Sequence, residues 1–147
     1  MHGYFPVKIK AAAALPDKMV MHRFANGKDD YAKADYENGW YKASFREFGN
    51  FQLMIDTVPP TISPVGFKEG MNCSKLSALK FVILDNTEEI KKFTATLDGN
   101  WLRFSNDKGR TFIYVFDEMC EPGNHELKII AEDQVGNTAE KIYHFTK

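Results

Sequence analysis

The sequence contains no apolar run approaching the roughly 20 residues that cross a bilayer as a helix. Its most uniform stretch, AAAA at 11–14, is far too short, so no membrane insertion is expected. An excess of one charge is missing as well: 19 basic residues face 20 acidic ones, for a formal net charge of -1. Without a field of one sign there is nothing to hold a nucleic acid or an anionic membrane non-specifically, and no nucleic-acid partner is expected. Cysteine is scarce. Cys73 and Cys120 are too few for a disulfide scaffold and lack the CxxC spacing of a zinc knuckle or redox motif.

Catalytic signatures are missing too. There is no G-x-S-x-G elbow, no recognisable Cys/His signature and no phosphate-binding Gly-rich loop. Asp117, Glu118 and Glu121 crowd around Cys120 and His125, but adjacent acids in a turn are more often solvated than paired for glycosidase chemistry. The chain itself is read as non-enzymatic, with no catalytic residue.

What is present is the pattern of an all-β protein. A hydrophobic content of 44% over 147 residues is enough to bury a core. The opening MHGYFPVKIKAAA sets Val7, Ile9 and Ala11 on one face, as a strand does. A secretory leader would show a charged segment, an apolar stretch and a cleavage site there; the reading is an excised segment with its leader upstream. WYKASFREF turns Tyr41, Ala43 and Phe45 to one side, NFQLMID does the same with Phe51, Leu53 and Ile55, and Gly49-Asn50 between them reads as a hairpin turn. Asn38-Gly39 supplies another turn.

The three prolines of DTVPPTISP (56–64) rule out a central strand, which predicts a rigid connector leading into an edge strand. Beyond it, LKFVILD, KFTATLD, WLRF, TFIYVFD, HELKIIAED and EKIYHFT follow at the spacing of a sandwich. KFTATLD sends Phe93, Ala95 and Leu97 inward before Asp98-Gly99 turns it back, and TEEIKKF at 87–93 offers at most one helical turn. Residues 1–55 are therefore expected to form a smaller antiparallel β-domain that need not be complete, and 56–147 an immunoglobulin-like β-sandwich. The smaller part buries less area and is expected to be the weaker half, with proteolysis starting in an Asn26–Tyr31 loop or before residue 56.

Residues 36–147 resemble the C-terminal β-domains of Bacteroidetes cell-envelope proteins related to lysostaphin-type zinc metalloendopeptidases. The resemblance rests on YENGWYKASFREFGNF, DTVPPTI, LDGNW, FDEMCEPGNHEL and AEDQVGNTAE. It implies a periplasmic, cell-surface or secreted location, tandem β-domains, and an adjacent peptidase domain or cell-wall glycan as partner. It carries no catalysis over to this chain. The zinc site of that family uses H-x-x-x-D and H-x-H, whereas His2, His22, His125 and His144 fit neither; Asn26 stands four residues after His22. The reading is a non-catalytic accessory module that positions a partner domain or binds cell-wall glycan. The alternative is the C-terminal fragment of a peptidoglycan-directed zinc endopeptidase whose catalytic domain lies elsewhere.

Three groups of residues are singled out. Sandwich topology gathers Asp56, Asp85, Asn86, Asp133 and Asn137 at one end, a set of hard oxygens suited to Ca²⁺, though Asx turns explain the same residues without any cofactor. Trp40, Tyr41 and Trp101 are candidates for a sugar-binding platform if they face solvent, with Tyr31 and Tyr36 adding aromatic surface; burial in the core is the expectation set against it. Cys73 and Cys120 fall in the loops at the opposite end, where a disulfide is topologically allowed. The other reading is two small, partly buried apolar residues.

Overall fold

The computed structural model describes residues 3–12 and 15–147. His2 and the end of the AAAA stretch lie outside the described residues.

Although of WLRF only Trp101 lies in a strand, two-residue alternation becomes strand over most of the segments that show it. In the first part these are β1 (Phe5–Lys10), β2 (Met19–Ala25), β3 (Lys28–Lys33), β4 (Asp35–Glu37), β5 (Trp40–Phe45) and β6 (Asn50–Ile55), with a 3₁₀ turn at Pro16–Lys18 before β2. They form two three-stranded sheets, in the orders β1-β5-β4 and β3-β2-β6. β5 alternates without fault: Tyr41, Ala43 and Phe45 are buried and the residues between them exposed. Those three side chains join Met19, Met21 and Ala34 in a core against which Phe5, Val7, Ile9, Phe51 and Leu53 pack. The Asn38-Gly39 turn is formed as expected, with φ of 54° and 84° at the two positions. Such paired positive angles match the twist of the strands they join.

The Gly49-Asn50 hairpin is not formed. β5 pairs with β1 and β4, while β6 pairs with β2 in the other sheet. Both strands must turn an apolar face into one core, and they do so from opposite sides, with Phe45 and Phe51 meeting at 5.1 Å between ring centroids. Gly49 serves the crossing by lacking a side chain, since a Cβ there would stand 3.1 Å from the Phe24 carbonyl oxygen and 3.2 Å from the Ala25 Cβ. The Asn26–Tyr31 loop is likewise a correction. Lys28–Lys33 is a strand paired along its length with β2, leaving a tight turn at Asn26-Gly27 as the exposed segment.

The second part contains β7 (Thr61–Val65), β8 (Met71–Asn72), β9 (Ala78–Leu84), β10 (Ile90–Leu97), β11 (Asn100–Trp101), β12 (Ser105–Asp107), β13 (Thr111–Val115), β14 (Asn124–Asp133) and β15 (Thr138–Thr146). One sheet runs β12-β13-β9-β7 and the other β11-β10-β14-β15-β8. The first is the A-B-E-D arrangement of an immunoglobulin sandwich read from its far edge. The second is its C-F-G arrangement, extended at one edge by β11 and at the other by β8, which lies parallel to β15. The proline-bearing β7 is an edge strand, as its composition predicts. Leu79, Phe81 and Ile83 from one sheet face Ala95, Leu97, Leu127, Ile129 and Ala131 from the other, and all are buried. TEEIKKF contributes no helix: β10 begins at Ile90.

Leu127→Ala should lower stability by about 2–5 kcal/mol, since its side chain is fully enclosed between the sheets. Ile142→Ala, on the exposed face of β15, should change it by no more than about 0.5 kcal/mol. Urea denaturation of the two variants side by side measures the difference.

Candidate functional site

Three chain segments meet where the first part hands over to the sandwich. Asp56 opens the connector, Asp85 follows the end of β9, and Asp133 ends β14. One carboxylate oxygen from each lies within 4.8 Å of the other two, so the predicted gathering of these three residues occurs. Asp56 and Asp133 are completely buried and Asp85 is half-buried.

Each carboxylate is held by its own local turn. Asp133 Oδ1 accepts the Val135 and Asn137 backbone N–H groups at 3.0 and 2.9 Å, and its Oδ2 accepts Asn137 Nδ2 at 2.8 Å. Asp85 Oδ2 accepts both the N–H and the hydroxyl of Thr87, at 3.0 and 2.6 Å. Asp56 Oδ1 accepts the Val58 N–H at 3.0 Å. The oxygens left over, Asp56 Oδ2 and Asp85 Oδ1, are buried with no hydrogen-bond partner. Burial pushes the Asp56 carboxyl above its ordinary range and the Asp133 charge adds to this, against the opposing influence of the Val58 N–H and the Asn86 side chain.

The other two predicted residues play different parts. Asn86 stands beside Asp56, near enough to favour its charged form. Asn137 is a bridge: its Oδ1 accepts Lys18 Nζ at 2.9 Å, and its Nδ2 also donates to the Asp56 carbonyl at 3.0 Å. Its amide oxygen is engaged by an ammonium rather than turned to the carboxylates. Lys18 itself, which donates a second bond to the Val135 carbonyl at 3.0 Å, carried no local signal beyond being a lysine in a Pro-Asp-Lys turn. Thr87 was legible in principle, because Asp-x-Thr is an Asx-turn pattern.

The aromatic candidates separate. Tyr41 is fully buried in the first core, which removes it from any platform. Trp40 and Trp101, expected in the core, are instead 42% and 65% exposed. Trp40 begins β5 after the Asn38-Gly39 turn, and Trp101 ends the two-residue β11 after Asp98-Gly99; each precedes a buried residue, Tyr41 and Leu102. They line separate grooves. Trp40 borders one of about 640 Å³ with Lys8, Lys33, Asp35, Glu37 and Lys42. Trp101 borders one of about 330 Å³ with Asp98, Asn100, Glu118, Glu121 and His125. Tyr31 stacks on His22 at 4.5 Å, and Tyr36 packs on Tyr41.

The three described histidines are each tied to a carboxylate rather than to one another: His22 to Asp29, His125 to Asp98, and His144 to Glu69 and Glu126. Burial of His125 opposes its charged form, but the Glu121 carbonyl and the Asp98 carboxylate prevail and raise its pKa. Burial also opposes the Asp98 charge, and the Glu126 N–H together with His125 prevail and lower its pKa. A raised histidine stabilises fully below its ordinary 6.5 and loses this as pH rises through the raised value. A lowered aspartate stabilises fully above its ordinary 3.8 and loses this as pH falls through the lowered value. The pair therefore supports the fold most between pH 3.8 and 6.5. His125→Gln should flatten the decline of the urea midpoint between pH 6 and 9 relative to the parent protein.

Cys73 and Cys120 are buried, free thiols at the end of the sandwich opposite the carboxylates. Burial pushes the Cys120 thiol up to about 11, and the charge of Cys73 contributes in the same direction. Burial raises Cys73 as well, with Lys147 pulling the other way. At pH 8 the Cys120 thiol is far less ionised than an ordinary cysteine. Alkylation by iodoacetamide at pH 8 should therefore be at least about 100-fold slower in the native protein than in 6 M guanidinium. A Cys73–Cys120 peptide in a non-reducing digest would instead reveal the bridge.

Comparison with known proteins bears on the fold. Residues 1–56 match the model of the Zu5-like domain family. No curated protein matches the chain. Among solved structures, the chain is similar to the endo-beta-1,4-mannanase from Thermotoga petrophila, at 17% identity and a TM-score of 0.50 over 62% of this chain and 20% of that one. It is also similar to dimeric latent PorU from Porphyromonas gingivalis, at 14% identity and a TM-score of 0.50 over 97% of this chain and 19% of that one. The SrpA adhesin from Streptococcus sanguinis matches at 21% identity and a TM-score of 0.46, over 62% of this chain and 58% of that one. The chain thus spans about a fifth of the length of the mannanase and of PorU. At these identities the likenesses speak for the fold: an all-β chain whose first 56 residues are similar to Zu5-like domains and whose remainder has the strand order of an immunoglobulin sandwich.

Proposed function

We propose that the chain is a non-catalytic accessory module of a secreted or cell-envelope protein, holding a neighbouring domain at a fixed distance and angle. The observation that carries this is the way its two parts are joined. Lys18 reaches from the 3₁₀ turn of the first part to the β14–β15 turn of the second, Asn137 reaches back to the Asp56 carbonyl, and the Asp56 N–H donates to the Lys18 carbonyl at 2.8 Å. The connector that follows is stiffened by Pro59 and Pro60. A tether made for free movement would have no use for bonds that tie its first residue to both parts. The mannanase and PorU, each about five times the length covered here, support a modular role. The resemblance of residues 36–147 to the tails of zinc endopeptidases supports a peptidoglycan-directed hydrolase as the domain it carries.

Backbone ¹⁵N relaxation tests the joint. The two parts should share one rotational correlation time, and Lys18→Ala with Asn137→Ala should split it into two shorter ones. Independent tumbling in the unmodified chain would sink the proposal.

Glycan recognition is a second reading, supported by Trp101. Its exposed ring borders a groove with the carboxylates of Asp98, Glu118 and Glu121 and the amide of Asn100. A ring face suits the C–H face of a sugar, and the acids and amide suit its hydroxyls. Titration with soluble peptidoglycan fragments should show saturable heat that Trp101→Ala abolishes and Trp40→Ala leaves in place; no heat from the parent chain would discard this reading.

A further inference from the structure

We infer that Asp56, Asp85 and Asp133 form a calcium site at the joint between the two parts of the chain. Two features of the structure point to a cation independently of one another. The first is spacing. Ca²⁺ binds oxygen at about 2.3–2.6 Å, so ligands around one ion stand up to about 5 Å apart; here a carboxylate oxygen from each aspartate lies within 4.8 Å of the others. The second is the pair of vacant acceptors. Asp56 Oδ2 belongs to a side chain with no exposed surface, and Asp85 Oδ1 is buried as well, yet neither accepts any hydrogen bond. Their sister oxygens are taken by Val58 and Thr87, so the local turns fix each carboxylate while leaving one oxygen free.

Charge balance leads to the same ion. Among the described residues, no lysine, arginine or histidine nitrogen comes within 4.0 Å of these three carboxylates. The nearby ammonium of Lys18 is directed at the Val135 carbonyl and the Asn137 amide oxygen. Three carboxylates gathered this closely, two of them completely enclosed, repel one another in a medium of low dielectric. A divalent cation offsets most of that charge. The donors are all hard oxygens with no imidazole or thiolate among them, which selects calcium over zinc or copper. The carboxylates provide three to six ligand oxygens according to whether each binds through one oxygen or two, and water completes the six to eight that calcium takes.

The ion would join the last residue of the first part, the β9–β10 loop and the β14–β15 turn. The assignment stands on these three carboxylates and does not depend on what the module carries. Calorimetric titration of the full chain with CaCl₂ should give one ion per chain, with a dissociation constant of about 0.1–1 mM, the range of extracellular calcium modules. At 10 mM CaCl₂ the melting temperature should rise above its value in EDTA by mass action. Asp85→Asn, at the half-buried corner of the triad, should weaken binding at least tenfold and remove most of the shift. The inference is overturned if the unmodified chain shows neither heat nor a melting shift at 10 mM CaCl₂, if Asp85→Asn binds as tightly as the parent, or if 10 mM MgCl₂ reproduces the whole shift.

Discussion

The buried carboxylate of Asp133 is the interaction on which the joint depends. It has no exposed surface, and it is satisfied by two backbone N–H groups and one side-chain amide from the turn it begins. Hydrogen bonds to a charged acceptor are worth about 1.5–3 kcal/mol each, and a buried charge left without them costs more than that. The turn from β14 to β15 is therefore held in one shape. That shape aims Asn137 at the Asp56 carbonyl and presents its amide oxygen to Lys18. The bonds between the two β parts, made by Lys18, Asn137 and Asp56, thus depend on a turn that Asp133 holds in shape.

The same arrangement concentrates negative charge. A turn built to bury one carboxylate brings it against two others, and these keep unpartnered oxygens where an apolar or amide side chain would have relieved the strain. Burial already pushes the Asp56 carboxyl upward, and the charge of Asp133 adds to it. The proposed rigidity of the joint and the proposed cation site then have one origin. Both come from carboxylates fixed by short local turns.

Elsewhere the outermost strands of the sandwich are short or carry proline. β8 and β11 are two residues long, β12 is three, and β7 carries Pro64. Short or proline-bearing edges give a second chain little backbone to pair with. Of the long strands, β14 is interior along its length and supplies Leu127, Ile129 and Ala131 to the buried face, whereas β10 is covered on its outer side only at Thr96 and Leu97 and β15 only at Phe145 and Thr146. Side-chain surface stays open in the groove beside Trp101 and in the one beside Trp40.

Alternation alone determined which faces of β1, β5 and β10 are buried, because a strand places every second side chain on the same side whatever it pairs with. Turn chemistry was equally local. Asn38-Gly39 and Asp98-Gly99 adopt positive φ at both positions because those residues tolerate it. The order of short strands also implied a sandwich, and from that topology followed the meeting of Asp56, Asp85 and Asp133. Pairing partners could not be read in this way. Gly49-Asn50 has the composition of a hairpin, but a shared core drew β5 and β6 into opposing sheets, and Gly49 is needed for close approach to β2. Nor could the sequence tell whether Trp40 and Trp101 point outward, since both faces of a strand are available until a sheet packs on one of them. Asn137 and Lys18, 119 positions apart, meet only in the folded chain. A bond spanning that distance has no local pattern, and only tertiary packing decides that one amide completes a turn, caps an ammonium and joins the two parts.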